Sequence, residues 1–215
     1  MTDRIAGSPA PRSHKPAVYI VDDDRAMRSS VVMLLRADGI NARAFATGED
    51  FLEELPFLTT GCVLLDIRMP GMSGLDLLAE LRSRDCHWPV VMITGHGEIN
   101  LAVRAVKLGA IDFLEKPYSD EDLQAILEEA FTKLDLAKRK SRSARAARQA
   151  FAKLSPRERQ VFDRVTTGRS NKEVAAELKL SPRTVESYRL TMMAKLGVDG
   201  LHELLAIASE LEELR

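Results

Sequence analysis

Ala17-Val18-Tyr19-Ile20-Val21-Asp22-Asp23-Asp24 sets five apolar residues against three carboxylates. A second run, Cys62-Val63-Leu64-Leu65, ends in the same manner on Asp66. Runs this short and this apolar read as strands buried on both faces of a parallel sheet. In open α/β sheets, functional groups gather beyond the carboxyl ends of the strands. The carboxylates of the two runs are therefore expected to converge on one small site. Crowded carboxylates repel and raise one another's pKa. Holding them together calls for a cation, and a set of hard oxygen donors suits Mg2+.

Two further runs complete the pattern. Val90-Val91-Met92-Ile93 ends in Thr94, and Asp112-Phe113-Leu114-Glu115 ends in Lys116-Pro117. As parallel neighbours they add a hydroxyl and an ammonium to the carboxylates. Such a set can accept a phosphoryl group: an aspartate attacks, the metal neutralises oxygens, and lysine and hydroxyl hold the new phosphate. Ala42-Arg43-Ala44-Phe45 reads as a further short strand. Helical periodicity falls on Arg25 to Ala37, Gly48 to Leu55, Leu75 to Arg82 and Ile99 to Leu108, with stops at Gly39, Pro56 and Gly109. A fifth helix begins near Asp120, where Asp120, Glu121 and Asp122 suit a helix N-terminus. Five such βα units make a doubly wound five-stranded parallel sheet. Pro70, Gly71 and Gly74 fit a turn beside Asp66, where backbone must pass close to phosphate and metal.

Residues 17–131 resemble the receiver domain of bacterial two-component response regulators. The resemblance rests on Val21-Asp22-Asp23-Asp24, Leu65-Asp66-Ile67-Arg68-Met69-Pro70-Gly71-Met72-Ser73-Gly74, Ile93-Thr94-Gly95-His96-Gly97 and Glu115-Lys116-Pro117, in the family's order. It implies that Asp66 is the phosphoacceptor. Asp22 and Asp23 would position Mg2+ together with Asp66, Asp23 as the more direct ligand and Arg68 through its backbone carbonyl. Thr94 would be the switch hydroxyl, Lys116 the phosphate-pairing lysine, and Phe113 the switch aromatic.

The remainder of the chain is helical in pattern. Ser155-Pro156-Arg157-Glu158 is a capped helix start, and Gly168 closes that helix. A short helix over Lys172 to Leu178 precedes a second capped start at Ser181-Pro182, a helix to Leu196 and a stop at Gly197. That is a helix-turn-helix, and an amphipathic helix over Leu201 to Leu214 follows it. Residues 151–215 resemble the LuxR/NarL-type four-helix DNA-binding domain. Leu154-Ser155-Pro156-Arg157-Glu158, Gly168-Arg169-Ser170-Asn171-Lys172-Glu173-Val174-Ala175, Leu180-Ser181-Pro182-Arg183-Thr184-Val185-Glu186 and Lys195-Leu196 carry the resemblance. The architecture is that of FixJ-like and NarL-like regulators, and the stretch from Ile93 to Gly97 leans toward the former.

Roles on the second helix of the motif follow from chemistry. Arg183, Thr184 and Ser187 lie near its start, where phosphates and base edges are reached. Glu186 can accept from a cytosine amino group or repel phosphate, and Arg189 can meet phosphate or guanine. Asn171, Lys172 and Lys195 are expected at the DNA backbone. Val185 and Met192 read as core. Tyr188 stands where many relatives have His, and Ser187 where many have an aliphatic residue, so both bear on the target sequence.

Charge divides along the same boundary. Residues 17–131 hold 10 Lys/Arg against 20 Asp/Glu, a balance of −10. Residues 132–215 hold 18 against 11, a balance of +7. An acidic part for a cation and a basic part for nucleic acid is the simple reading. Residues 1–16, with Pro9, Pro11 and Pro16, read as a disordered leader without the apolar core of a signal peptide. Residues 132–150 read as a basic helical linker, either a solvated extension of the fifth helix or a flexible tether, with no apolar face to bury. No apolar stretch approaches the ~20 residues that span a bilayer, so no membrane partner is expected, and the resemblance implies a cytoplasmic bacterial protein. Cys62 and Cys86 read as reduced thiols, and no His/Cys cluster suggests zinc.

The resemblance implies a switch. A sensor histidine kinase phosphorylates Asp66, and Thr94 and Phe113 move. The face formed by the fourth helix, fifth strand and fifth helix changes, and a homodimer grips promoter DNA, with RNA polymerase as a further partner. Two other classes compete: a phosphorylation-controlled protein-interaction or RNA-binding module, and a metal-dependent phosphatase.

Overall fold

The computed structural model describes residues 15–95 and 99–212. Most of the expected leader (1–14), and His96 and Gly97, lie outside the described residues. The chain forms two compact units that divide between Leu136 and Ala137.

In the first unit, β1 (Ala17–Val21), β2 (Ala42–Phe45), β3 (Gly61–Asp66), β4 (Val90–Thr94) and β5 (Asp112–Glu115) form one sheet in the order β2-β1-β3-β4-β5. Every pairing is parallel. The helices between them are α1 (Arg25–Ala37), α2 (Gly48–Glu54), α3 (Gly74–Ser83) and α4 (Ile99–Lys107), with a 3-10 turn at Leu55–Phe57 where Pro56 ends α2. Successive strand residues serve opposite faces. Tyr19, Val21, Val63, Leu65, Val90 and Met92 pack with Phe51, Leu77, Leu78 and Leu81 of α2 and α3. Val18, Ile20, Cys62, Leu64, Val91 and Ile93 pack with Val31 and Leu35 of α1 and with Leu123, Ile126 and Leu127 of the last helix of the layer. Cys62 is a free buried thiol, and burial pushes its pKa up to about 12.

That last helix, α5, is a single element from Asp120 to Ala152. The expected flexible alternative for the basic stretch is therefore replaced by helix. The expectation that it buries nothing also fails. Ala147 is buried, and Ala150 and Phe151 pack on the core of the second unit. Residues 147, 150, 151 and 154 recur at helical spacing, and three of the four side chains on this stripe are small or aromatic rather than long aliphatics. Ser143 adds a hydrogen bond to Glu210 at 2.5 Å.

The second unit holds α6 (Pro156–Thr166), α7 (Asn171–Leu178), α8 (Pro182–Leu196) and α9 (Leu201–Glu212). Ser155 and Ser170 cap α6 and α7 in reciprocal boxes with Glu158 and Glu173, and Ser181 caps α8. These serines satisfy amide groups that the first helical turn leaves open. Val161, Phe162, Val165, Val174, Val185, Met192 and Leu204 form the core, so Val185 and Met192 are interior as expected.

Candidate functional site

Register alone gathers the first site. Val21 pairs with Leu65, and Asp66 pairs with Ile93. Asp22, Asp66 and Thr94 thus end three adjacent strands at one level, and the Lys116 amide donates to the Thr94 carbonyl at 2.8 Å. Lys116 extends its ammonium between the two buried carboxylates. It donates to Asp66 Oδ1 at 2.7 Å and to Asp22 Oδ2 at 2.9 Å. Asp22 is fully buried, Asp66 is 7% exposed and Thr94 is 3% exposed. The other oxygens are held by backbone: the Arg68 amide donates to Asp66 Oδ2, and the Asp24 amide to Asp22 Oδ1. Arg28 of α1 donates to the Asp22 carbonyl at 2.6 Å. Asp24, the third residue of the acidic run, caps α1 through the amides of Ala26 and Met27.

Electrostatics follow from this arrangement. Burial raises the Asp66 pKa, and the Asp22 charge adds to the rise against the opposing pull of Lys116. Burial alone pulls the Lys116 ammonium down, but the hydrogen bonds and charges of Asp66 and Asp22 outweigh it and its pKa rises. Tyr118, half-buried beside this group, is pushed up to about 12, chiefly by burial.

The cation that the carboxylates require is thus in part supplied by the protein. Asp23 is exposed and Arg68 follows Asp66 on the same turn. As the side chains stand, no three acidic, His or Cys side chains gather as a metal cluster among the described residues. The donor chemistry still fits a hard divalent ion. Two buried carboxylates share one ammonium, which leaves a net negative charge open to solvent through Asp66 and Asp23.

The turn after Asp66 is tighter than its sequence suggests. Gly71 has φ +77°, in the left-handed region. A Cβ on Gly74, the first residue of α3, would lie 2.1 Å from the Asp66 carbonyl oxygen. The close approach of backbone seen at this turn is to the Asp66 main chain. Phe113 on β5 is 40% exposed.

On the second unit, Lys172, Arg183, Glu186 and Ser187 are exposed, and Asn171, Thr184 and Arg189 are half-buried. Arg189 donates to Asn171 Oδ1 at 2.7 Å and ties α8 to α7. The Thr184 hydroxyl pairs with Ser181 Oγ at 2.8 Å. Lys195, expected at the DNA backbone, is exposed and has a partner within the unit. Its ammonium donates to both oxygens of Glu158 at 2.8 Å, and Glu158 is 3% exposed. A buried carboxylate needs that charge, so Lys195 joins α8 to α6.

Lys195→Met is expected to lower the melting stability of the second unit by about 2 kcal/mol, the scale of a charged hydrogen bond. The same change should leave the salt dependence of DNA binding unaltered, as expected of an ammonium whose charge Glu158 already balances. Lys195 holds the Glu158 carboxyl below its ordinary range. This stabilisation is fully present above the usual glutamate pKa and is lost as pH falls through the lowered folded value. Acid unfolding with and without Lys195 measures it.

Residues 18–128 match the family described as response regulator receiver domain, and residues 152–208 match bacterial regulatory proteins of the luxR family. The chain is 43% identical to the transcriptional regulatory protein FixJ of Bradyrhizobium diazoefficiens over 194 residues, 90% of this chain and 95% of that protein. The response regulator StyR superposes with a TM-score of 0.74 at 38% identity, over 91% of this chain and 99% of that one. Full-length FixJ from B. japonicum superposes with a TM-score of 0.59 at 41% identity, over 94% and 100%.

Proposed function

The chain belongs to the response regulators that join a receiver domain to a luxR-family DNA-binding domain, and from that premise we propose how its own residues carry the signal. It is a transcriptional regulator rather than a metabolic enzyme. Among the described residues no helix is long and apolar enough to cross a membrane, and the proposed setting is the bacterial cytoplasm.

Asp66 accepts a phosphoryl group from a phosphohistidine of a sensor kinase. A carboxylate oxygen attacks phosphorus, an acyl-phosphate P–O bond forms, and the P–N bond to the donor imidazole breaks. Asp22, Asp23, Asp66 and the Arg68 carbonyl would hold Mg2+. When bound, the ion neutralises oxygen charge during transfer. Lys116 stays near the new phosphate by charge, as it now stays near Asp66. Thr94 turns its hydroxyl to a phosphoryl oxygen, and Phe113 moves inward from its exposed position. The altered surface then favours a homodimer that holds two DNA half-sites through Lys172, Arg183, Glu186, Ser187, Arg189 and their neighbours. Lys195 is left out of the contact set.

The observation that carries this reading is the Asp66 carboxylate, nearly buried at the end of the central strand and held by one ammonium and one amide. The test is DNA affinity and sedimentation of wild type and Asp66→Asn, with and without beryllofluoride and Mg2+, over a salt series. Wild type alone should dimerise and bind, with affinity falling as salt rises. Equal binding by both proteins, indifferent to the mimic, would refute control by the receiver.

A further inference from the structure

Leu190 does not fit the division of α8 into a buried and a polar side. Val185, Met192 and Leu196 close the core. Residues 183, 186, 187 and 190 follow at the spacing that sets them on one side of a helix. All four are exposed. Three carry a guanidinium, a carboxylate and a hydroxyl. The fourth, Leu190, is 67% exposed. A single exposed leucine needs no explanation by itself. Its place among the residues proposed to reach base edges does call for one.

The major groove offers an apolar group in thymine, whose 5-methyl projects from the base edge. We propose that Leu190 determines specificity by packing its side chain on one thymine methyl in each half-site. The inference rests on the reading that α8 enters the major groove. Arg183 on the same side supplies charge complementary to phosphate. Four residues of helix separate Glu186 from Leu190, about 6 Å at ~1.5 Å per residue. That is roughly two base-pair steps at ~3.4 Å each. The thymine should therefore lie about two base pairs from the base nearest Glu186.

The experiment uses the full chain with beryllofluoride and Mg2+, and a duplex enriched on it from random-sequence DNA. Each thymine is replaced in turn by deoxyuridine, which lacks only the methyl. One position per half-site should weaken wild-type binding about three- to fivefold, the scale of one buried methyl. Leu190→Ala should bind thymine and uracil equally at that position, with its salt slope unchanged. Leu190→Met should keep the preference. The proposal is overturned if wild type tolerates every deoxyuridine, or if the penalty survives in Leu190→Ala. If wild type enriches no sequence at all, the DNA-reading role fails and takes this inference with it; that outcome is visible before any methyl is removed.

Discussion

Asp66→Asn should abolish phosphoryl uptake, by more than about 100-fold for loss of the nucleophile, and at the same time make the receiver more resistant to heat. The first effect is direct, since a carboxamide oxygen does not form the acyl phosphate. The second follows from the site's electrostatics. Burial raises the Asp66 pKa in the folded chain, so at neutral pH its charged form opposes folding. The stability tied to this group is fully present below the ordinary aspartate pKa, about 4, and is lost as pH rises through the folded value. The melting advantage of the variant should therefore be largest near neutrality and shrink on acidification, as Asp66 protonates in the wild type. Incorporation of phosphate from a small phosphodonor, read beside melting curves at several pH values, checks both halves. A variant that melts lower at pH 7 would show that Asp66 and Lys116 bind each other more strongly than burial penalises them.

Gly74→Ala should be nearly as damaging to phosphorylation, and far more so to the fold. Its Cβ would meet the Asp66 carbonyl oxygen at 2.1 Å and the Ile67 Cα at 3.0 Å. Both neighbours are backbone, and the strand they end is paired on both sides. No side chain can rotate away to make room. The cost is expected to be about 3 kcal/mol, the upper range of overpacking. The Asp66 carboxylate is displaced with its main chain, and misplacement of about 1 Å can cost ~100-fold in rate. Denaturant unfolding and phosphate incorporation at low temperature, where the variant is still folded, separate the two losses. Full uptake by a destabilised but folded variant would show that the turn supports the fold without positioning the nucleophile.

Much of this was legible in the residues. Three apolar runs set β1, β3 and β4 because a strand buried on both faces of a parallel sheet admits little else, and parallel order puts Asp22, Asp66, Thr94 and Lys116 at one edge. Ser155-Pro156 and Ser181-Pro182 mark helix starts through local chemistry. What escaped depends on distances between segments far apart in sequence. Glu158 and Lys195, 37 residues apart, look like two surface charges until α6 and α8 pack. A close backbone approach near Gly74 was readable, but its seat against the Asp66 carbonyl was not. Lys179 adopts φ +55° at the end of α7, where Gly197 does the same at the end of α8; with no glycine there, nothing local announced it. The interior stripe of α5 escaped because alanines between arginines carry little apolar weight.

That stripe changes what a protease meets. Lys138, Arg139, Lys140, Arg142, Arg145 and Arg148 offer six tryptic bonds within eleven residues. On a loose tether they would be the first bonds cut. Wound into α5, each is presented in a conformation that a serine protease cannot seat, since cleavage needs a locally extended strand. Digestion must wait for the helix to open. The most basic stretch of the chain is therefore guarded by its own hydrogen bonds, and its rate of nicking reports how often α5 unwinds.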